Sequence, residues 1–294
     1  MKRRIVIVSN KSWETDPLVG VLTNIEARPK DIKFASSVPK VTVTRLDNTS
    51  IEISARLCLD FSDAAVELWC IQDLMDPKAS LSSSQEKARV LPSVYNNGPP
   101  PALVIAFGTA ALPGVLSYNG SVAVGNKVFV HNPFAQNPNE KSNWTHRDFE
   151  KLLSDASPHP VIADLDHKQR LSVDSRLLSP PMYPAHPPSI MPSIESVALC
   201  SVNVTDSNDY SWVDPEAMQA LRATGATEPV GSVETTHGVI RLVMPSEQFL
   251  FVSGIANRLG YFGLEVAPRL YAQNFVAAHN AGVALAWMLP IVAA

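Results

Sequence analysis

The stretch from Gly231 to Pro290 constrains the fold of this chain more than any other. It passes from Glu234, just after a strand-like run, to a second apolar run, Phe249-Leu-Phe-Val-Ser-Gly-Ile-Ala-Asn257. The loop Arg258-Leu-Gly-Tyr-Phe-Gly263 and a long alanine-rich helix ending near Leu289 follow. An apolar run without polar alternation reads as a strand buried on both faces. A polar side chain at the carboxyl end of such a strand, beside a glycine-containing loop, lies where open α/β sheets hold their ligands. Glu234 and Asn257 are therefore the first candidate site residues.

The chain of 294 residues, 46% of them hydrophobic, can bury a substantial core as one large α/β domain or two smaller ones. A net charge of −4 and an isoelectric point near 6.0 provide no bulk attraction for nucleic acid or an anionic membrane. Cys58, Cys70 and Cys200 form no CxxC pair. This argues against a disulfide framework or structural zinc and fits a reducing cytosol. The apolar run Ile5 to Val8 stops at Ser9-Asn10-Lys11, too short for a signal-peptide core, and reads as the first strand. No window holds the roughly 18 consecutive apolar residues of a spanning helix, and Arg269, Gln273, Asn274, His279 and Asn280 interrupt the last helix. The expectation is a cytoplasmic protein that neither crosses a membrane nor binds nucleic acid. The triplets Asn143-Trp-Thr and Asn203-Val-Thr are read as chance occurrences.

Strands are expected at Ile5 to Val8, Leu103 to Phe107, Ser121 to Val124, Lys127 to Val130, Val197 to Val204 and Phe249 to Ile255, with a hairpin of Val41 to Arg45 and Ile51 to Ile53 around Asp47-Asn48. Asp214-Pro215-Glu216 opens a helix that Gly225 stops. Thr235 to Val243 and Ala267 to Leu289 are helical. Strands alternating with helices predict a single three-layer α/β/α domain over residues 1–294 with a mixed, twisted central sheet. Ten prolines make 132–195 an excursion from the core, and Ser80 to Pro101 reads as a second irregular stretch.

Ala106-Phe-Gly-Thr-Ala-Ala-Leu-Pro-Gly114 carries a strand end into a turn of small residues. There the backbone of Gly108, Thr109 and Ala110 can approach a ligand closely, or close a tight turn with nothing bound. With Val124-Gly-Asn-Lys-Val-Phe-Val130 it resembles the "GSAGGL … VGDIVVS" passage of the nucleoside phosphorylase and nucleosidase superfamily. Ile5-Val-Ile-Val-Ser9 resembles that family's first strand, and Ala198-Leu-Cys-Ser-Val-Asn-Val-Thr-Asp206 its strand and loop over the base. Ser232-Val-Glu234 followed by Phe249 to Asn257 resembles "EME … VRAISD", with the family's own spacing of 23 positions from Glu234 to Asn257. These pieces cover about half of the chain, and their shared order carries the resemblance.

The resemblance implies cleavage of the N-glycosidic bond of a purine or related nucleoside, by phosphate or water, in a homo-oligomer. Glu234 would then hold the ribose hydroxyls and orient the sugar for an oxocarbenium-like transition state; the alternative is a helix N-terminal glutamate held by the helix dipole. Asn257 stands where the nucleosidases carry an Asp general acid, and the trimeric purine nucleoside phosphorylases have Asn at the matching place. An amide can hydrogen-bond the base but cannot release a proton at neutral pH. Glu14 lies near the position of the water-activating base, or is an exposed loop acid. The family's Ser-Gly-x-Gly phosphate turn is missing, and Glu67-Leu-Trp-Cys-Ile-Gln-Asp73 stands in that region.

Ser9, Arg28, Arg56 and Thr235 are positional candidates around a phosphate, and Val204, Tyr210, Val233 and Phe262 around the base. His237 is a candidate either for catalysis or for packing. No histidine pair has ligand spacing, and no HExxH, GxSxG, P-loop or GxGxxG occurs, so neither metal nor redox cofactor is expected. The competing reading is a catalytically inactive nucleoside- or nucleobase-binding protein on the same fold.

Overall fold

A computed structural model describes residues 2–81, 83–112, 118–126, 128–131, 149–152, 167–181, 187–192, 196–198, 232–234, 236–259, 261–266 and 270–294. Its frame is β1 (Arg3–Ser9), β5 (Ala64–Cys70), β6 (Leu103–Leu112) and β13 (Gln248–Arg258), all parallel. Helix α1 (Ser12–Thr23) follows β1, and α2 (Ile71–Leu74) and α3 (Ser84–Tyr95) lead from β5 to β6. On one edge β4 (Leu57–Asp60) is antiparallel to β5; on the other, β7 (Val122–Gly125) is antiparallel to β13 and parallel to β10 (Ile190–Pro192). The hairpin of β2 (Lys40–Thr44) and β3 (Ser50–Ser54) turns through Asn48 at φ 65°, a left-handed conformation that Asn tolerates.

Strand β6 outruns β1. Their pairing ends at Ser9↔Phe107, and beyond it β6 meets β12 (Ser232–Glu234), antiparallel, at Val233↔Ala111. From β12 the sheet continues through β11 (Ser196–Ala198) and β8 (Val128–His131) to β9 (Phe149–Leu152). The sheet is mixed, as expected, and layered between helices. Ile5, Ile7, Ile105, Phe107, Leu250 and Val252 pack with α1 and α7 (Leu270–Ala293) on one face. The alternate residues Val6, Val8, Val104, Ala106, Phe249 and Phe251 pack with α3 and α5 (His237–Val243) on the other. Two apolar faces per strand explain why the sequence shows continuous apolar runs.

Helix α7 lies tight on β13. A Cβ on Gly254 would come within 1.9 Å of the Ala277 carbonyl oxygen, so only glycine allows this approach, and alanines 277, 278, 281 and 284 supply the matching shallow helix face. By length and composition Tyr271–Ala293 could cross a membrane, yet most of it is buried within the protein. It serves here as a core helix.

Several expectations are corrected. Gly108 to Leu112 continues β6 instead of turning, because β13 and β12 supply ladder partners on either side. The stretch from Ser80 contains α3, capped by Ser83 Oγ accepting from the Glu86 N–H and carrying Pro92 inside it. The helical run expected from Thr235 starts at His237, behind β12. Within 132–195, β9 and β10 join the sheet, and α4 (His167–Asp174) packs against α7. The expected helix from Asp214 lies outside the described residues.

Candidate active site

The second half of β6 forms the floor of the site. Glu14 enters from the first turn of α1: its Oε2 accepts the Lys11 N–H at 3.1 Å, while its Oε1 accepts the Thr109 N–H at 2.9 Å and the Thr109 hydroxyl at 3.0 Å. Glu14 is buried, at 4% exposure, which decides against the exposed loop acid. Gly108 matters for the same reason, since a Cβ there would stand 2.9 Å from Glu14 Oε1. Burial raises the Glu14 pKa, and the backbone N–H groups of Thr109 and Lys11 and the charge of Lys11 offset this only in part.

Glu234 ends β12 beside the floor. Its two oxygens accept the backbone N–H groups of Thr236 and His237 at the start of α5, so it does cap a helix, as the alternative reading held. It is nevertheless a buried carboxyl. Desolvation pushes its pKa up to about 8, against the lowering effect of those N–H groups and of the Lys87 charge, and the Glu14 charge adds to the rise. Two acids far apart in the sequence thus flank the end of β6, close enough for the charge of Glu14 to act on Glu234.

His237 lies fully in the interior, stacked on Phe251 at 5.8 Å with Nδ1 3.6 Å from Glu234 Oε1. Nδ1 has no hydrogen-bond partner among the described residues, and burial pushes the pKa down to about 3, so the imidazole is neutral. Asn257 is placed by a bulge in β13 between Ile255 and Asn257, which sets it opposite Ala111, the residue that Val233 also faces. Its Nδ2 donates to the Arg258 carbonyl at 2.7 Å. The turn that follows, leading into the short helix α6 (Phe262–Glu265), is held by Glu265, which accepts from Arg258 N, Arg258 Nε and Asn119 Nδ2.

The structure therefore brings Glu14, Gly108, Thr109, Val233, Glu234 and Asn257 to one end of the sheet. Ala110 also lies on β6, but as part of the apolar core. Ser9 is fully buried, its Oγ 2.5 Å from Thr15 Oγ1 and 3.2 Å from the Trp69 carbonyl, so it ties β1 to α1 and β5. Arg28 donates to the Pro29 and Ile32 carbonyls, and Arg56 pairs with Asp73 and Asp16. Val204, Tyr210 and Thr235 lie outside the described residues, and the side chain of Phe262 does as well. No cluster of three or more potential metal ligands occurs among the described residues.

Sequence reasoning missed Lys87. Its Nζ lies 3.0 Å from Thr236 Oγ1 with the whole residue buried. The signal was present in the capping pair Ser83 and Glu86 and in the helical spacing of Val90, Leu91 and Val94.

No protein-family model matches the sequence, and no curated protein does. Solved structures do share its fold. The 5'-methylthioadenosine nucleosidase of Arabidopsis thaliana in apo form superposes with a TM-score of 0.56 at 13% identity, over 99% of this chain and 96% of that one. A putative 5'-methylthioadenosine/S-adenosylhomocysteine nucleosidase from Borrelia burgdorferi bound to adenine gives 0.55 at 10%, over 98% and 100%. A methylthioadenosine phosphorylase from an antarctic soil metagenomic library gives 0.56 at 8%, over 99% and 87%. The chain has the fold of the nucleoside phosphorylase and nucleosidase superfamily.

Proposed function

We propose that this protein hydrolyses the N-glycosidic bond of a purine nucleoside or a related nucleoside. The observation that carries this reading is the presence of two buried, electrostatically linked carboxyl groups with raised proton affinity, Glu14 held on Thr109 of β6 and Glu234 at the end of β12, which pairs with β6. Glu14 takes a proton from water as the water oxygen bonds to C1′ of the sugar. The C1′–N bond breaks with its electron pair going to the base, which then gains a proton from solvent. Glu234 accepts hydrogen bonds from the ribose hydroxyls, and Asn257 hydrogen-bonds the departing base through its amide.

Water is favoured over phosphate as the acceptor because Arg28 and Arg56 are held by other partners. A raised carboxyl beside a second acid suits proton abstraction, whereas an anion there would meet like charge. The adenine in one structural neighbour and the methylthioadenosine nucleosidases among the others support a purine ligand. The reading includes a reducing cytosol, in keeping with the free, buried thiols of Cys58 and Cys70, and a homo-oligomer.

Chromatographic detection of free base from a panel of purine and pyrimidine nucleosides, with and without phosphate, tests the proposal. Phosphate-independent release by the wild type, lost in Glu234→Ala, is expected. Release that requires phosphate would replace hydrolysis by phosphorolysis. Stabilisation by nucleoside on heating without release from any of them would make the protein a binder.

A further inference from the structure

A buried lysine is costly unless something in the fold needs its charge. Lys87 on α3 is buried, and it reaches across to the loop between β12 and α5, where its Nζ meets Thr236 Oγ1 at 3.0 Å. The backbone N–H of the same Thr236 donates to Glu234 Oε2. One residue therefore touches both the lysine and the carboxyl, so the ammonium is held within a residue's breadth of Glu234. The second acid, Glu14, acts on Glu234 by its charge, and its own neighbouring cation is Lys11.

We propose that Lys87 is a positioning residue whose buried ammonium is the internal counter-charge of Glu234, allowing that carboxyl to ionise beside Glu14 and hold the sugar. The proposal rests on the reading of Glu234 as the sugar anchor. It assigns Lys87 no contact with substrate. Two negative charges in one dry site repel strongly, and an ammonium on the far side of one of them relieves the pair without occupying the face that the sugar would use. The direction of Lys87's influence on the Glu234 pKa, downward, agrees.

The other charged groups around these elements have their own partners. His237 on α5 is neutral, and Arg241 donates to the Ser246 carbonyl. On α3, Glu86 pairs with Arg89. On the elements packed against α3, Asp73 of α2 pairs with Arg56 and Lys40 of β2 with Glu52. Among the described residues, β6 and β11 bring no charged side chain. Among the described residues, the charges that act on Glu234 are therefore Lys87, which lowers its pKa, and Glu14, which raises it, on top of the larger effects of desolvation and of the His237 and Thr236 N–H groups.

The test needs no turnover. In protein labelled with 13C at the glutamate side-chain carboxyl, the Glu234 resonance is assigned by its loss in Glu234→Gln and followed against pH. Lys87→Met is expected to move the Glu234 midpoint to higher pH by about 1 to 3 units, and Glu14→Gln to move it lower. Cavities or loosened packing would not produce opposite shifts from two neighbouring substitutions. Thr236→Val, which removes the lysine's hydroxyl partner, should shift the midpoint the same way as Lys87→Met but less, and it serves if Lys87→Met does not fold. An unmoved midpoint in the folded lysine or threonine variant overturns the proposal. Opposite shifts in a protein that releases no base keep the counter-charge and discard hydrolysis, whereas base release with an unmoved midpoint does the reverse. In an active enzyme the acid limb of kcat/KM should follow the same midpoint upward in Lys87→Met.

Discussion

Glu67 and Glu14 are both buried carboxylates on the frame of the sheet, yet they are held in opposite ways. Glu67, on β5, receives both arms of the Arg4 guanidinium at 2.9 and 3.0 Å and the Trp69 Nε1–H at 2.9 Å. Arg4 uses its remaining N–H groups on the carbonyls of Val94, Tyr95 and Pro99. Charge and hydrogen bonds are both matched there, leaving nothing for a ligand. Glu14 and Glu234 are held by backbone N–H groups and a hydroxyl, with lysines nearby but, among the described residues, no guanidinium on either. Their geometry is satisfied while their proton affinity stays high. A buried acid closed off by arginine fastens a fold, and one held by amides beside another acid is equipped to move a proton.

The comparison breaks most visibly at Glu14. Glu14→Gln is expected to lower the rate of base release by about 10²- to 10⁴-fold, while the urea midpoint changes by no more than about 1 kcal/mol in stability. A matching collapse of stability would make Glu14 another fastener. Glu67→Gln should do the reverse: leaving Arg4 uncompensated costs about 3–5 kcal/mol in urea unfolding, with the specific activity of the folded fraction unchanged. Gly108→Ala sharpens the geometry, because its Cβ pushes Glu14 off the Thr109 N–H. A loss of about 1–3 kcal/mol together with slower release is expected, and stability loss alone would show that Glu14 keeps its place.

The smallest effect is on pH. The Glu234 pKa is raised from 4.5 to about 8 in the folded protein, so the stability it carries is full below pH 4.5 and is lost as pH rises towards 8. The His237 pKa is lowered from 6.5 to about 3, so its contribution is present above pH 6.5 and is lost as pH falls towards 3. Thermal melting of the ligand-free protein should decline on both sides, with Glu234→Gln flattening the alkaline decline and His237→Asn the acid one. An unchanged alkaline decline in Glu234→Gln would separate that carboxyl from the two-acid arrangement.

Of the frame, β1, β6 and β13 were legible because they are buried on both faces and so are apolar at nearly every position, as in Ile5 to Val8 and Phe249 to Val252; β5 was not, because Glu67 interrupts its apolar run. Strand ends were less legible. Gly108 to Leu112 reads as a turn from its small residues, but pairing with β13 and β12 holds it extended. Helix α3 was hidden by Pro92 and the Asn96-Asn-Gly-Pro run, although its cap and apolar spacing are present in the chain. Glu14 could be placed near the site only through a resemblance, since one acid in a first helical turn reads the same whether it is buried or solvated.

By itself, the sequence determined the alternation of buried strands and helices, the layered architecture and the order in which Glu14, Glu234 and Asn257 come along the chain. These are properties of local pattern, and burial writes them into consecutive residues. Tertiary structure alone decided that Glu14 is buried against Thr109, that Lys87 reaches Thr236 beside Glu234, and that Ser9 is a tie inside the core. Those facts depend on which residues far apart in the chain come within a few ångströms of one another and on how much water is excluded between them. Proton affinity follows from that exclusion, and no local pattern of residues records it.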